Sequence, residues 1–113
     1  MNHTDLELLP FYRFASDHIS VGIHAIDQNG RTILYNEKKK NIERLDLHDV
    51  ADRTLLELFQ FDQHESTLLK VLQSGQQVLN VKQTYWNRNG HEITTINDTY
   101  PVFQDGVLIG AVE

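Results

Sequence analysis

The side chains that could do chemistry in this chain concentrate in one stretch, Glu92–Tyr100. Successive side chains of a strand point to opposite faces. One set is then Ile93, Thr95, Asn97 and Thr99, and the other is Thr94, Ile96, Asp98 and Tyr100. Neither set is uniformly apolar, although a central strand should bury hydrophobes on one face. Buried polar groups need partners, and a small hydrophilic ligand can supply them. Asn97, with Thr95 and Thr99 beside it, is the first candidate for a ligand contact. Asp98 competes, because a slip of one residue exchanges the faces, and a carboxylate there would suit an amino-group ligand. On the preceding strand Asn80, Lys82 and Thr84 share a face, and Asn80 is carried as a further candidate. Tyr35 could line a pocket with its ring and offer its hydroxyl, or serve as a core aromatic.

Other chemistries find little support. The chain has no cysteine, which removes disulfides, thiolate nucleophiles and cysteine-based zinc sites. The six histidines include no pair at His-x-x-x-His spacing, so no metal site is expected. The carboxylates Asp17, Asp27, Asp46, Asp49, Asp52, Glu57 and Glu65 fall at caps and turns, where they satisfy backbone amides. An enzyme reading would rest on Asp98 alone. No Gly-x-x-x-x-Gly-Lys loop is present, so no nucleotide chemistry is expected.

Composition sets the frame. The 113 residues are 40% hydrophobic and 23% charged, enough for one globular core. The formal charge is -6, which disfavours contact with nucleic acid or anionic membranes. The single basic run, Lys38-Lys39-Lys40, reads as a solvated helix face. Residues 1–10 contain neither a signal peptide nor a membrane anchor. Absence of cysteine fits a reducing cytoplasm.

Three turns organise the elements. Asn29-Gly30, Asn89-Gly90 and Asp105-Gly106 each lie between β-prone runs. They join Val21–Asp27 to Arg31–Tyr35, Val78–Trp86 to Glu92–Phe103, and that strand to Val107–Val112. Between the groups of two and three strands lies a helical block. Asn36 caps a helix from Glu37 to Leu45. Thr54–Glu57 is a capping box opening a short helix ending near Phe59. Asp62–Glu65 is another box, opening a helix that carries Leu68, Leu69 and Leu72 and stops at Gly75. Thr4–Glu7 opens a strongly apolar lead-in segment, residues 1–17, which Pro10 should kink or divide. Its hydrophobic surface must pack on the outer face of the sheet or on the same segment of a second copy. The chain stops at Glu113 with no turn signal after the last strand, which leaves room for a continuation.

These features carry a resemblance. Val21–Asn36 is similar to the opening hairpin of PAS domains, with Asp27 ending the first strand, Gly30 turning the chain and Asn36 ending the second. Tyr100–Phe103, Asp105-Gly106 and Ile109–Ala111 resemble the closing hairpin. The match covers residues 18–113. Gln83–Trp86 and Thr94–Asn97 through Tyr100-Pro101 resemble, more narrowly, the sensor domains of bacterial sigma-54-dependent transcriptional activators of the arginine-utilisation type. The resemblance implies an α+β PAS fold, a five-stranded antiparallel sheet of order 2-1-5-4-3 with helices on one face. It implies a cytoplasmic regulator, with ATPase and DNA-binding modules downstream, and an amino-acid-like ligand such as ornithine or citrulline. A haem of the PAS type would need a histidine on the long helix; His64 starts that helix but sits in a capping box. Light-sensing flavin chemistry would need a cysteine. No cofactor is therefore expected. The expected function is a non-catalytic sensory domain binding a small polar metabolite. The alternative is a ligand-free module for homodimerisation and signal relay through the N-terminal helix.

Overall fold

The computed structural model describes residues 4–45, 50, 53–61 and 66–113. In chain order the elements are α1 (Asp5–His18), β1 (His24–Asp27), β2 (Thr32–Tyr35), α2 (Glu37–Glu43), α3 (Leu55–Leu58), β3 (Phe59–Phe61), α4 (Thr67–Ser74), β4 (Val78–Asn87), β5 (Glu92–Gln104) and β6 (Val107–Val112). The sheet runs β2-β1-β6-β5-β4-β3, with every paired neighbour antiparallel. The five strands expected from the sequence stand in the expected order, 2-1-5-4-3. The three-residue β3 extends the edge beyond β4, pairing Phe59 with Asn87. The sequence carries no strand signal there.

The turn chemistry acts locally. At the first hairpin the Asp27 carbonyl accepts from Gly30 N at 3.0 Å, and Asp27 Oδ1 accepts from the amides of Asn29 and Arg31. Asn87 repeats this pattern at the second hairpin, taking the amides of Asn89 and His91. Gly30 and Gly90 have φ of 80° and 83°. A left-handed glycine at the end of such a turn carries no Cβ penalty.

Two helices differ from expectation. Pro10 does not divide the lead-in: α1 runs unbroken over 14 residues, opened by the Thr4–Glu7 capping box. Pro10 has no amide hydrogen to offer the carbonyl one turn back, so its own rung of the helical ladder is missing. Helix α4 opens at Ser66, whose hydroxyl accepts from Leu69 N at 3.3 Å. The Asp62–Glu65 box, with His64 and Glu65, lies outside the described residues, as do Asp46, Asp49 and Asp52.

Asn36 anchors the first layer of helices. Its Oδ1 accepts from Ile23 N and Lys39 N, and its Nδ2 donates to the carbonyls of Ser16 and Val21. One side chain thus caps α2 and ties it to the end of α1. Asp17 Oδ1 adds the Glu37 amide at 3.2 Å. The core lies between the inner sheet face and α2 and α4, where Ile26, Leu68, Val71, Tyr85, Ile93 and Ala111 are buried. In contrast, α1 buries none of its residues and exposes Leu6, Leu9, Phe11, Tyr12 and Phe14. The apolar side chains of the lead-in therefore find no cover among the described residues. Among the described residues no helix is long and apolar enough to cross a membrane.

Candidate functional site

Burial alternates strictly along the first half of β5. Ile93, Asn97 and Thr99 are buried and Thr95 half-buried, whereas Thr94, Ile96, Asp98 and Tyr100 are exposed. The inner set is thus Ile93, Thr95, Asn97 and Thr99. Asp98 lies on the outer face, where its Oδ1 accepts the Asn80 amide at 2.8 Å. Asn80 is also exposed, at φ 56° in a bulge between Val78 and Val81. These two candidates form an outer clasp, apart from the inner set. Lys82 is exposed, and Thr84 pairs with Thr94 across the outer face at 3.1 Å. Downstream of the bulge, the inner residues of β4 are Gln83, Tyr85 and Asn87.

Within the inner set, Asn97 Nδ2 donates to Thr95 Oγ1 at 2.9 Å. Its carbonyl oxygen has no protein partner among the described residues. Thr99 Oγ1 donates to Thr67 Oγ1 at 2.9 Å, and Thr67 Oγ1 donates to Glu113 Oε2 at 2.8 Å. The Thr67 amide donates to Gln83 Oε1 at 3.1 Å. Polar side chains from β4, β5 and the residue that follows β6 therefore meet at the first turn of α4.

This chain continues into a buried ion cluster. Lys39 Nζ lies 3.4 Å from Glu113 Oε1 and 3.5 Å from Glu43 Oε2. It also donates to the Tyr85 hydroxyl at 3.4 Å. Tyr35 and Tyr85 each donate a short hydrogen bond to Glu43. Lys39 is 2% exposed and Glu43 1%, so the lysine run is not a uniformly solvated face. Lys38 is exposed and Lys40 pairs loosely with Glu37 at 3.5 Å, but Lys39 points inward. Tyr35 is a core aromatic whose hydroxyl donates to Glu43.

The electrostatics follow from two carboxylates sharing one ammonium. Burial pushes Glu43 upward, against the pull of Lys39 and the two tyrosine hydroxyls. Burial alone would depress Lys39, but Glu113 and Glu43 outweigh it and hold the ammonium charged above its ordinary range. Burial, then the Glu43 charge, drives both tyrosines well above theirs, so they remain donors. Beside them His24 is buried and held neutral, down to about 3, by desolvation and by Lys39. Its Nε2 lies 2.8 Å from Thr32 Oγ1, and its buried Nδ1 has no partner among the described residues. The His24 ring meets Tyr35 edge-on at 5.0 Å.

Lys39, Glu43, Glu113, Gln83 and His24 were not singled out from the sequence. Two signals were available. Lys39 and Glu43 stand four apart on the face that also carries Ile42, and strand alternation places Glu113 on the side of Ala111. Among the described residues no group of three His, Cys, Asp or Glu side chains is arranged to hold a metal.

Comparison with known proteins agrees with this architecture. No family model matches the chain. It is 51% identical to the transcriptional activator RocR of Bacillus subtilis (strain 168) over 98 residues, 86% of this chain and 21% of the activator. The chain thus spans about a fifth of that relative's length. Among solved structures, the PAS domain of a protein from Colwellia psychrerythraea superposes with a TM-score of 0.73 at 14% identity, over 93% of this chain and 92% of that one. The Escherichia coli DhaR(N)–DhaL complex gives a TM-score of 0.77 at 15% identity, over 95% of this chain and 35% of that one. The chain is a PAS-fold domain, homologous to a segment of a transcriptional activator.

Proposed function

We propose that this chain is a regulatory, non-catalytic sensory domain that binds a small polar metabolite between the inner sheet face and the helices. Occupancy there would control a transcription-activating module elsewhere in a longer cytoplasmic protein. The observation that carries this reading is the polar row Thr95, Asn97 and Thr99 on the inner face of β5, where packing alone would favour hydrophobes. The unpartnered Asn97 carbonyl supplies an acceptor for a donor on the ligand. Thr95, Asn97, Thr99 and Tyr35 are the contacts proposed; Asp98 and Asn80 hold the outer edge of the strand pair instead. The relative's role as an activator supports the regulatory part. An amino-acid-like ligand, with ornithine and citrulline as first probes, follows from the resemblance to arginine-utilisation regulators. That resemblance also supplies the sigma-54-dependent downstream module.

Thermal unfolding with a panel of amino acids tests the proposal. A ligand that binds only the native state at about 100 times its Kd adds about 2.7 kcal/mol. Asn97→Ala should abolish that shift while leaving the unliganded Tm within a few degrees. An unchanged shift in this variant would remove Asn97 from the site.

The apolar surface of α1 favours a second, compatible reading, homodimerisation through the N-terminal helix. Deleting residues 1–17 should then lower the oligomeric state measured by light scattering. Equal masses for the truncated and intact chains would refute it.

A further inference from the structure

The Glu113 carboxylate occupies an unusual place. Strand β6 ends at Val112, yet the next side chain turns into the domain. There one oxygen lies 3.4 Å from Lys39 Nζ and the other accepts from Thr67 Oγ1 at 2.8 Å. An ammonium and a hydroxyl converging on the two oxygens of one carboxylate form a seat for that group. Thr99, within the proposed ligand row, donates to the same Thr67 hydroxyl. The seat therefore adjoins the polar face of β5.

Two further facts bear on what the seat can do. Lys39 already has a second carboxylate, that of Glu43 at 3.5 Å. Glu113 can therefore leave without stranding the ammonium. Meanwhile the Glu113 backbone is paired in both directions with His24, N to O and O to N, each at 2.9 Å. The same residue thus plugs the interior and closes the last rung between β1 and the end of β6.

We propose that Glu113 is an internal stand-in for a small carboxylate-bearing ligand. A carboxylate entering from the Thr99 side would take the positions on Lys39 Nζ and Thr67 Oγ1. It would return the Glu113 side chain to water and loosen the end of β6. The exchange replaces one buried carboxylate by another, so it leaves the charge of the cluster unchanged and spares Glu113 the cost of its own desolvation. The seat stands on the geometry alone; the link from its occupancy to regulation rests on the sensory reading above.

Chemical rescue tests the seat without knowledge of the natural ligand. In the 113-residue chain, Glu113→Ala vacates the carboxylate position and should lower Tm by roughly 5–10 °C. Acetate at about 100 mM, against chloride of equal ionic strength, should restore at least about half of that loss. It should also return the Thr67 amide resonance toward its wild-type position. The wild type and Glu113→Gln, whose seats are filled, should gain nothing from acetate over chloride. Glu113→Ser offers a second vacant seat with the same expectation should the alanine variant not fold. An acetate effect that is absent in the vacant variants, or equal in all of them, overturns the proposal. Rescue needs no sensory ligand, so failure of the sensory reading leaves it intact. Failure of rescue, in turn, leaves amino-acid binding by the wild type untouched.

Discussion

Lys39→Met is the most direct probe of the buried cluster. Methionine nearly preserves the volume and removes the charge. Lys39 Nζ sits 3.5 Å from Glu43 and 3.4 Å from Glu113. At an effective dielectric of about 20 each pair has a gross attraction of about 5 kcal/mol, most of it offset by desolvation of the ions. Removing the lysine leaves the desolvation and takes away the attraction, a situation that costs about 3–5 kcal/mol. For a domain of this size about 4 °C of Tm corresponds to 1 kcal/mol, so a fall of roughly 12–20 °C is expected. The pH dependence sharpens the test. In the folded state Glu43 holds its proton to higher pH than in the unfolded state. Its contribution to stability is therefore present below its unfolded value of about 4.3 and is lost as pH rises through the folded value. Without Lys39 that folded value rises further, so the deficit of the variant should be smallest near pH 4 and largest at neutral pH and above. Urea unfolding of both proteins at pH 4.5, 6 and 8 measures this. A loss below about 1 kcal/mol, constant with pH, would mean that Lys39 is solvated and would refute the cluster.

Two further outcomes are expected. Gly110→Ala should cost about 3 kcal/mol, because an added Cβ would lie 2.1 Å from the Ile26 carbonyl oxygen and force β1 from β6. Gly30→Ala, with open space around it and only a positive φ to tolerate, should cost about 1 kcal/mol, and calorimetry on the two variants tests the order. The His24 ring, lowered from 6.5 to about 3, should stay neutral in the folded protein. Stability should then fall as pH drops from about 6.5 toward 3, by up to about 1.4 kcal/mol per pH unit, because only the unfolded chain takes up that proton. His24→Leu should flatten that limb, and an NMR titration of the His24 ring with a midpoint near the ordinary histidine value would contradict its burial.

The strands were legible because glycine turns and period-two patterns are local signals. Gln28-Asn29-Gly30 and its two counterparts fixed five strands within three residues at every end. Phe59–Phe61 escaped because three residues are too few for alternation to register, and its pairing with β4 is a tertiary event. The facing of β5 was undetermined in sequence, since both of its sets mix apolar and polar residues. Packing against α4 and the bulge at Asn80 decide it. The ion cluster was hardest to see. Lysine and glutamate at helical spacing usually form an exposed pair, and only the return of Glu113 from the far end of the sheet turns Lys39 and Glu43 into an interior group. Long-range assembly of this kind leaves no trace in a window of ten residues.

Asn36 gives the first layer of helices a mechanical property. Its four hydrogen bonds gather the end of α1, the approach to β1 and the start of α2 at a single point. From that point α1 runs back to Asp5 with none of its residues buried among the described ones, a rod about 17 Å long. A tilt of about 10° at such a pivot carries the free end by about 3 Å, most of the width of a methyl group in contact. Lys39 lies one helical turn past the pivot. A displacement too small to notice in the interior thus becomes, at the tip of α1, a step large enough to exchange one packing partner for another.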